Sequence, residues 1–178
     1  MKAFLIDFAA SRRYWIGLVL TGIALEAGGL YFQYLRDELP CVLCIQVRLL
    51  VMAFVLIALL ALFFTRSRVA MQLFHGLTTL VMLALVERSW QVLAVERGWT
   101  FGSCSMDLGM PEWFAIDKWL PSIFEVQTSC GYSPLLFFGI TMAEALLVFS
   151  VILAIISAAL LVASWLVPTQ SSPATSDT

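Results

Sequence analysis

The chain has 178 residues, of which 61% belong to the hydrophobic set and 12% are charged, with a mean hydropathy of +0.94. That balance excludes an ordinary soluble domain. The formal net charge of −2, with no stripe of Lys and Arg that could follow phosphates, excludes nucleic acid as a partner.

A membrane-spanning helix needs about 20 mostly apolar residues. Four stretches qualify, at about residues 14–34, 44–64, 69–90 and 140–165. The sequence therefore predicts an all-α integral membrane protein: a single domain built as a four-transmembrane-helix bundle. The last span sits in a longer apolar run, 135–167, which either begins outside the bilayer or tilts within it. The first apolar run contains Glu26 and is not followed by a small-x-small cleavage pattern, so it is expected to remain as the first span.

Lys2, Arg12 and Arg13 precede the first span, and Arg66 and Arg68 join the second to the third. With alternating helices these cations share one side, which the positive-inside rule assigns to the cytoplasm. Arg36, Arg97 and Lys118 are spread over longer loops on the opposite side. The expected arrangement is a multi-pass protein of the bacterial inner membrane with both termini cytoplasmic and periplasmic loops at 35–43 and 91–139. The tail, 168–178, is rich in Ser, Thr and Pro and reads as disordered.

All four cysteines then face the periplasm, where disulfides persist. Cys41 and Cys44 lie in Pro40-Cys41-Val42-Leu43-Cys44-Ile45-Gln46-Val47-Arg48, and Cys104 and Cys130 lie in the long loop. Four cysteines allow three pairings. The close pair most simply bonds within itself, leaving Cys104 with Cys130. Entering the second span as a helix, Cys41, Cys44 and Arg48 fall at i, i+3 and i+7 on one face. Helix N-terminal N–H groups and a guanidinium both favour a thiolate there, and the thiolate attacks disulfides. Zinc is not expected, because no second close pair and no His accompany the motif. A purely structural bond closing so short a loop removes little chain entropy, which favours a redox pair.

In the long loop, apolar residues at 113, 116 and 120, with Trp113 and Trp119, predict a short interfacial helix within 111–121 lying on the membrane surface. Glu26 is expected to face the bundle and find a polar partner, with proton transfer as the lesser alternative, and His75 is expected to be structural. Glu144 fits either the interface or an inward polar contact. Two cysteine pairs on one membrane face permit thiol exchange between them. No haem ligand set, nucleotide fingerprint or flavin motif is visible, which leaves a lipid-soluble quinone as the natural electron carrier. Arg48 could stabilise both a Cys44 thiolate and negative charge on a reduced quinone oxygen.

From about Trp15 to the final span the sequence resembles the DsbB family of bacterial inner-membrane disulfide bond formation proteins. The resemblance is carried by Pro40-Cys41-Val42-Leu43-Cys44-Ile45 with Arg48, by Cys104 and Cys130, and by Pro111-Glu112-Trp113 followed by Asp117-Lys118-Trp119. It implies a thiol:quinone oxidoreductase that reoxidises a DsbA-like thioredoxin-fold partner and passes two electrons to ubiquinone or menaquinone. By the same resemblance Cys104 forms the mixed disulfide with the partner, Cys130 engages Cys41, Cys44 faces the quinone, and Arg48 is the quinone-site arginine. The chain departs from many relatives at Val47, where an acidic residue is usual, and in 87–97, which lacks their histidine. Two other readings compete: a membrane scaffold with structural disulfides, and an enzyme like vitamin K epoxide reductase. The latter is expected to carry its C-x-x-C late in the chain rather than at the second span.

Overall fold

A computed structural model describes residues 11–64, 68–100, 108–110, 115–136 and 139–166. Among the described residues six helices follow one another: α1 (Arg12–Leu35), α2 (Val42–Phe63), α3 (Arg68–Glu96), the one-turn α4 (Ile116–Trp119) and α5 (Pro121–Phe124), and α6 (Met142–Leu166). α1, α2, α3 and α6 are long and apolar enough to cross a membrane, so the protein is a four-helix membrane bundle. Among the described residues, extended pairing is limited to two isolated bridges.

The helix starts are set by local chemistry. Ser11 caps α1 by accepting from the Tyr14 N–H at 3.3 Å. The sulfur of Cys41 caps α2 by accepting from the Cys44 N–H at 3.3 Å. At α6, Thr141 Oγ1 accepts from the Glu144 N–H while Glu144 Oε2 accepts from the Thr141 N–H. This reciprocal arrangement satisfies two otherwise unpartnered donors, and Glu144 also pairs with Arg97 from the end of α3.

Packing runs in chain order, α1 on α2, α2 on α3, and α3 most extensively on α6. Trp15, Phe54, Met82 and Leu85 are buried inside, while Leu20, Leu60, Leu80 and Ile155 point outward. Outward leucines suit lipid, which is as apolar as they are, so the contacts between spans come from close packing and hydrogen bonds. Between α3 and α6, Thr79 and Ser157 hydroxyls are 3.0 Å apart, and Gln72 donates to the Ser164 carbonyl at 3.1 Å. Between α1 and α2, Gly22 lets the helices approach: a Cβ there would lie 2.3 Å from Val55 Cγ2. His75 is buried against Trp15 and Tyr14, with ring centroids 5.0 and 5.8 Å away, in keeping with a packing role.

Two elements refine the sequence expectations. The apolar run from 135 is not helical at its start: Leu136 N–H bonds to Ile140 C=O and Met142 N–H to Pro134 C=O, both at 2.9 Å. The resulting reversal uses Gly139 at φ 79°, a conformation that glycine adopts without strain. The loop helix expected within 111–121 is interrupted at its C-terminal side. Residues 111–114 lie outside the described set, and α4 ends at Trp119 because Pro121 restricts Leu120 to φ −134°, ψ 63°. The connection 65–67 and the tail 168–178 also lie outside the described residues.

Gly22→Ala should lower the thermal stability of the detergent-solubilised protein by about 1–3 kcal/mol through overpacking. Gly28→Ala, with nothing within 4 Å of the added carbon, should leave it unchanged or raise it. Equal unfolding temperatures for the two variants would remove Gly22 as a packing determinant.

Candidate redox site

The site is assembled where α1 ends and α2 begins. After α1, Asp37 takes a left-handed conformation, φ 53°, which Asp tolerates better than most residues, and the chain returns to Pro40 and Cys41. A later segment then lies alongside. Gln127 N–H donates to Pro40 C=O at 3.0 Å, and Thr128 forms a parallel bridge with Cys41. That short pairing brings Cys130 to the motif, where it packs against the cluster that contains Cys41. Cys41 is buried, and Cys44 and Cys130 are half-buried.

Cys41 Sγ and Cys44 Sγ stand 2.6 Å apart. Three of the four predicted cysteines are thus in one cluster, and Cys104 lies outside the described residues. The hydrogen bond with Cys44, and after it burial, hold the Cys41 thiol well above the ordinary cysteine range. A raised value means less thiolate at a given pH, which makes the Cys41 thiol a poor nucleophile. Around the sulfurs, Val42, Leu43, Ile45, Leu108 and Phe124 form a second apolar core under the loop.

Arg48 sits two turns into α2 and is 8% exposed, so it does not snorkel to the membrane surface. Its Nη1 donates to Gln33 Oε1 at 2.7 Å and to the Ile123 carbonyl at 2.6 Å. Its Nε lies 3.8 Å from Glu26 Oε2, and its charge also acts on Cys44. Gln33 closes the arrangement by donating from Nε2 to the Ser122 carbonyl at 3.2 Å, and the Tyr34 hydroxyl donates to that carbonyl too. The last carbonyls of the one-turn α5 lack helical partners, and these three side chains supply them.

Cys44 and Arg48 line one cavity of about 130 Å³ together with Leu25, Glu26, Gly29 and Leu146. That is several times the roughly 30 Å³ of one water, and the walls are mainly apolar. It is large enough for a flat ring with one or two oxygens. Sequence reasoning did not find Gln33 or the pairing at Thr128. Gln33 carried a signal, since Glu26, Gly29 and Gln33 recur at i, i+3 and i+7 on one face of α1. The Thr128 contact is long-range and carried none.

A bundle of four membrane helices with a C-x-x-C at a helix start and a third sulfur laid against it defines a multi-pass membrane protein of disulfide chemistry. The family model for "Disulfide bond formation protein DsbB" matches residues 11–160. The Disulfide bond formation protein B 2 of Pseudomonas aeruginosa is 35% identical over 127 residues, covering 68% of this chain and 73% of that protein. The Disulfide bond formation protein B of Shewanella loihica is 34% identical over 151 residues, covering 81% and 85%. That of Photorhabdus laumondii is 29% identical over 142 residues, covering 74% and 78%. The chain belongs to the DsbB family, and its general role is that of a membrane oxidoreductase in disulfide bond formation.

Two measurements check the site. Gln33→Ala should cost about 1–3 kcal/mol by leaving buried polar groups without partners. It should speed amide exchange over 122–130 while the spans stay protected, and unchanged exchange there would deny Gln33 its anchoring role. In the reduced protein at about pH 8.5, where an ordinary cysteine is half ionised, Cys41 should alkylate more slowly than a peptide cysteine. Cys44→Ala should speed it.

Proposed function

We propose that this protein is a thiol:quinone oxidoreductase that takes two electrons from a reduced DsbA-like partner in the periplasm and delivers them to a membrane quinone. The observation that carries this reading is that Cys44 and Arg48 share an apolar cavity while Cys41, on the other side of the pair, contacts Cys130. One pair of sulfurs therefore faces both a second cysteine and a ligand-sized space.

In this scheme a partner thiolate attacks the Cys104–Cys130 disulfide at Cys104, and Cys130 leaves. The partner's second thiol then resolves the mixed disulfide, which leaves Cys104 and Cys130 reduced. The Cys130 thiolate in turn attacks Cys41 of the Cys41–Cys44 disulfide, forming a Cys130–Cys41 bond and releasing Cys44 as a thiolate beside Arg48. Cys104 displaces Cys41 from Cys130, which restores the Cys104–Cys130 bond and leaves the Cys41/Cys44 dithiol. A quinone bound in the cavity supplies the two-electron acceptor for that dithiol. Arg48 and the apolar walls would hold it. The guanidinium is anchored on Gln33 and Ile123, so it need not reorganise when negative charge develops nearby.

The reading is further supported by the way the spans pack. The main packing runs α1 on α2, α2 on α3 and α3 on α6, and both α1 and α6 contribute to the cavity wall. In this reading a lipid-soluble ligand enters from the bilayer between those two spans. The cation distribution supports cytoplasmic termini, with Arg12 and Arg68 beginning α1 and α3 at the end opposite the cysteines.

Anaerobic turnover of the purified protein with a reduced DsbA-like partner and a soluble quinone tests the scheme. Quinone absorbance should fall only when both are present, and Cys104→Ser should block entry from the partner. Cys44→Ser should reduce quinone consumption to background. Retained turnover in Cys44→Ser would overturn the relay, and silence of the wild-type protein with ubiquinone-like and menaquinone-like acceptors would favour a structural role for the disulfides.

A further inference from the structure

The cavity beside Cys44 has an ionisable wall group that the electron relay leaves without a task. Glu26 lies on α1, with Oε2 3.8 Å from Arg48 Nε and Oε1 buried and without a hydrogen-bond partner. A buried carboxyl oxygen lacking a donor is costly unless it carries a proton or meets a ligand. Arg48 does not relieve it, because Nη1 is engaged by Gln33 and the Ile123 carbonyl. Its Nη2 lies over Gly29, where an added Cβ would be 3.4 Å away.

The other ionisable groups on the cavity wall are accounted for. Arg48 and Cys44 come from α2. Glu38, from the connection after α1, accepts from the hydroxyl of Tyr132 in the late loop at 3.4 Å. The wall residues from α3 and α6, such as Val92 and Leu146, are apolar. Tyr34, whose hydroxyl is committed to Ser122, also acts on Arg48. Glu26 is the wall acid whose unpartnered oxygen is buried.

We propose that Glu26 is the proton donor of this cavity, passing a proton from its carboxyl to an oxygen of the bound quinone as the Cys41/Cys44 dithiol is oxidised. The proposal rests on the quinone reading and extends it by naming the group that moves the proton. Oxidation of the dithiol forms one S–S bond and releases two electrons and two protons, and conversion of quinone to quinol consumes two of each. Glu26 gives its proton to one oxygen and is left as a carboxylate beside Arg48 Nε. It regains the Cys41 thiol proton, and a second proton, the one that balances the Cys44 thiolate, reaches the other oxygen from water at the periplasmic mouth. The sums of atoms and electrons close without another reactant.

Three readouts on the full-length, detergent-solubilised protein test this. Infrared difference spectra between reduced and oxidised protein should contain a protonated-carboxyl band that changes on quinone addition and is missing in Glu26→Gln. Binding of a short-chain quinone, followed by tryptophan fluorescence, should change in Glu26→Gln by no more than about threefold. Single-turnover oxidation of the prereduced Cys41/Cys44 pair by that quinone should slow by about 100-fold, the lower end for a lost general acid. Its pH dependence should flatten, and Glu26→Asp should recover part of the rate. A wild-type rate and pH profile in Glu26→Gln, or a carboxyl band that survives the substitution, would overturn the assignment while leaving the quinone reading intact. Failure of the wild-type protein to bind the quinone would remove the quinone reading and this proposal with it. The infrared band of the wild-type protein decides the matter even if Glu26→Gln fails to fold: no carboxyl signal on quinone addition overturns the proposal.

Discussion

Burial of the Arg48 guanidinium is the constraint on which the rest of the site depends. A cation inside a membrane bundle is expensive unless it is paired and hydrogen-bonded. Here the partners come from three places: Gln33 and Glu26 on α1, and the Ile123 carbonyl of α5. Satisfying one charge thus ties the first span, the second span and the loop that carries α5 into a unit. Loss of any partner leaves a buried donor or charge facing apolar surroundings without its full set of partners.

The loop gains its position from the same source. α4 and α5 are too short to be stable alone, and nothing in their own hydrogen bonding fixes them on the bundle. Gln33, Tyr34 and Arg48 supply donors to the Ser122 and Ile123 carbonyls, and Phe124 inserts into the apolar cluster around Cys41. From that anchor the chain reaches the pairing of Thr128 with Cys41, and Cys130 arrives at the pair. A cysteine on an otherwise weakly structured loop is held near its target by a few hydrogen bonds. Such a loop can also release it, as the proposed relay requires.

The fold was largely legible in the sequence because its governing signal is coarse. Four apolar runs of spanning length leave a chain few options in lipid, where backbone groups must be satisfied within each helix. The C-x-x-C motif and Arg48 were legible for a related reason: their spacing is local, and a helix start converts it directly into a shared face. What escaped was long-range. Gln33 reads as one more polar residue near a span end until Arg48 and Ser122 are seen on either side of it. The approach of Thr128 to Cys41 depends on how the loop folds back, and nothing in its immediate sequence encodes that. Pro121 did carry a warning that a helix through 120 would be interrupted, but the apolar spacing at 113, 116 and 120 outweighed it.

The packing order of the spans connects this architecture to its chemistry. Because α1 rests on α2, and α6 on α3, the bundle is joined in series, and the cavity lies where its two ends approach. At the start of α2, Cys41 packs into the apolar cluster under the loop while Cys44 lines the cavity. One close pair of sulfurs thus presents one member to the segment that carries Cys130 and the other to a space with mainly apolar walls. In the proposed relay these two sides keep the protein partner and the lipid-soluble acceptor apart, so neither has to cross the other's path.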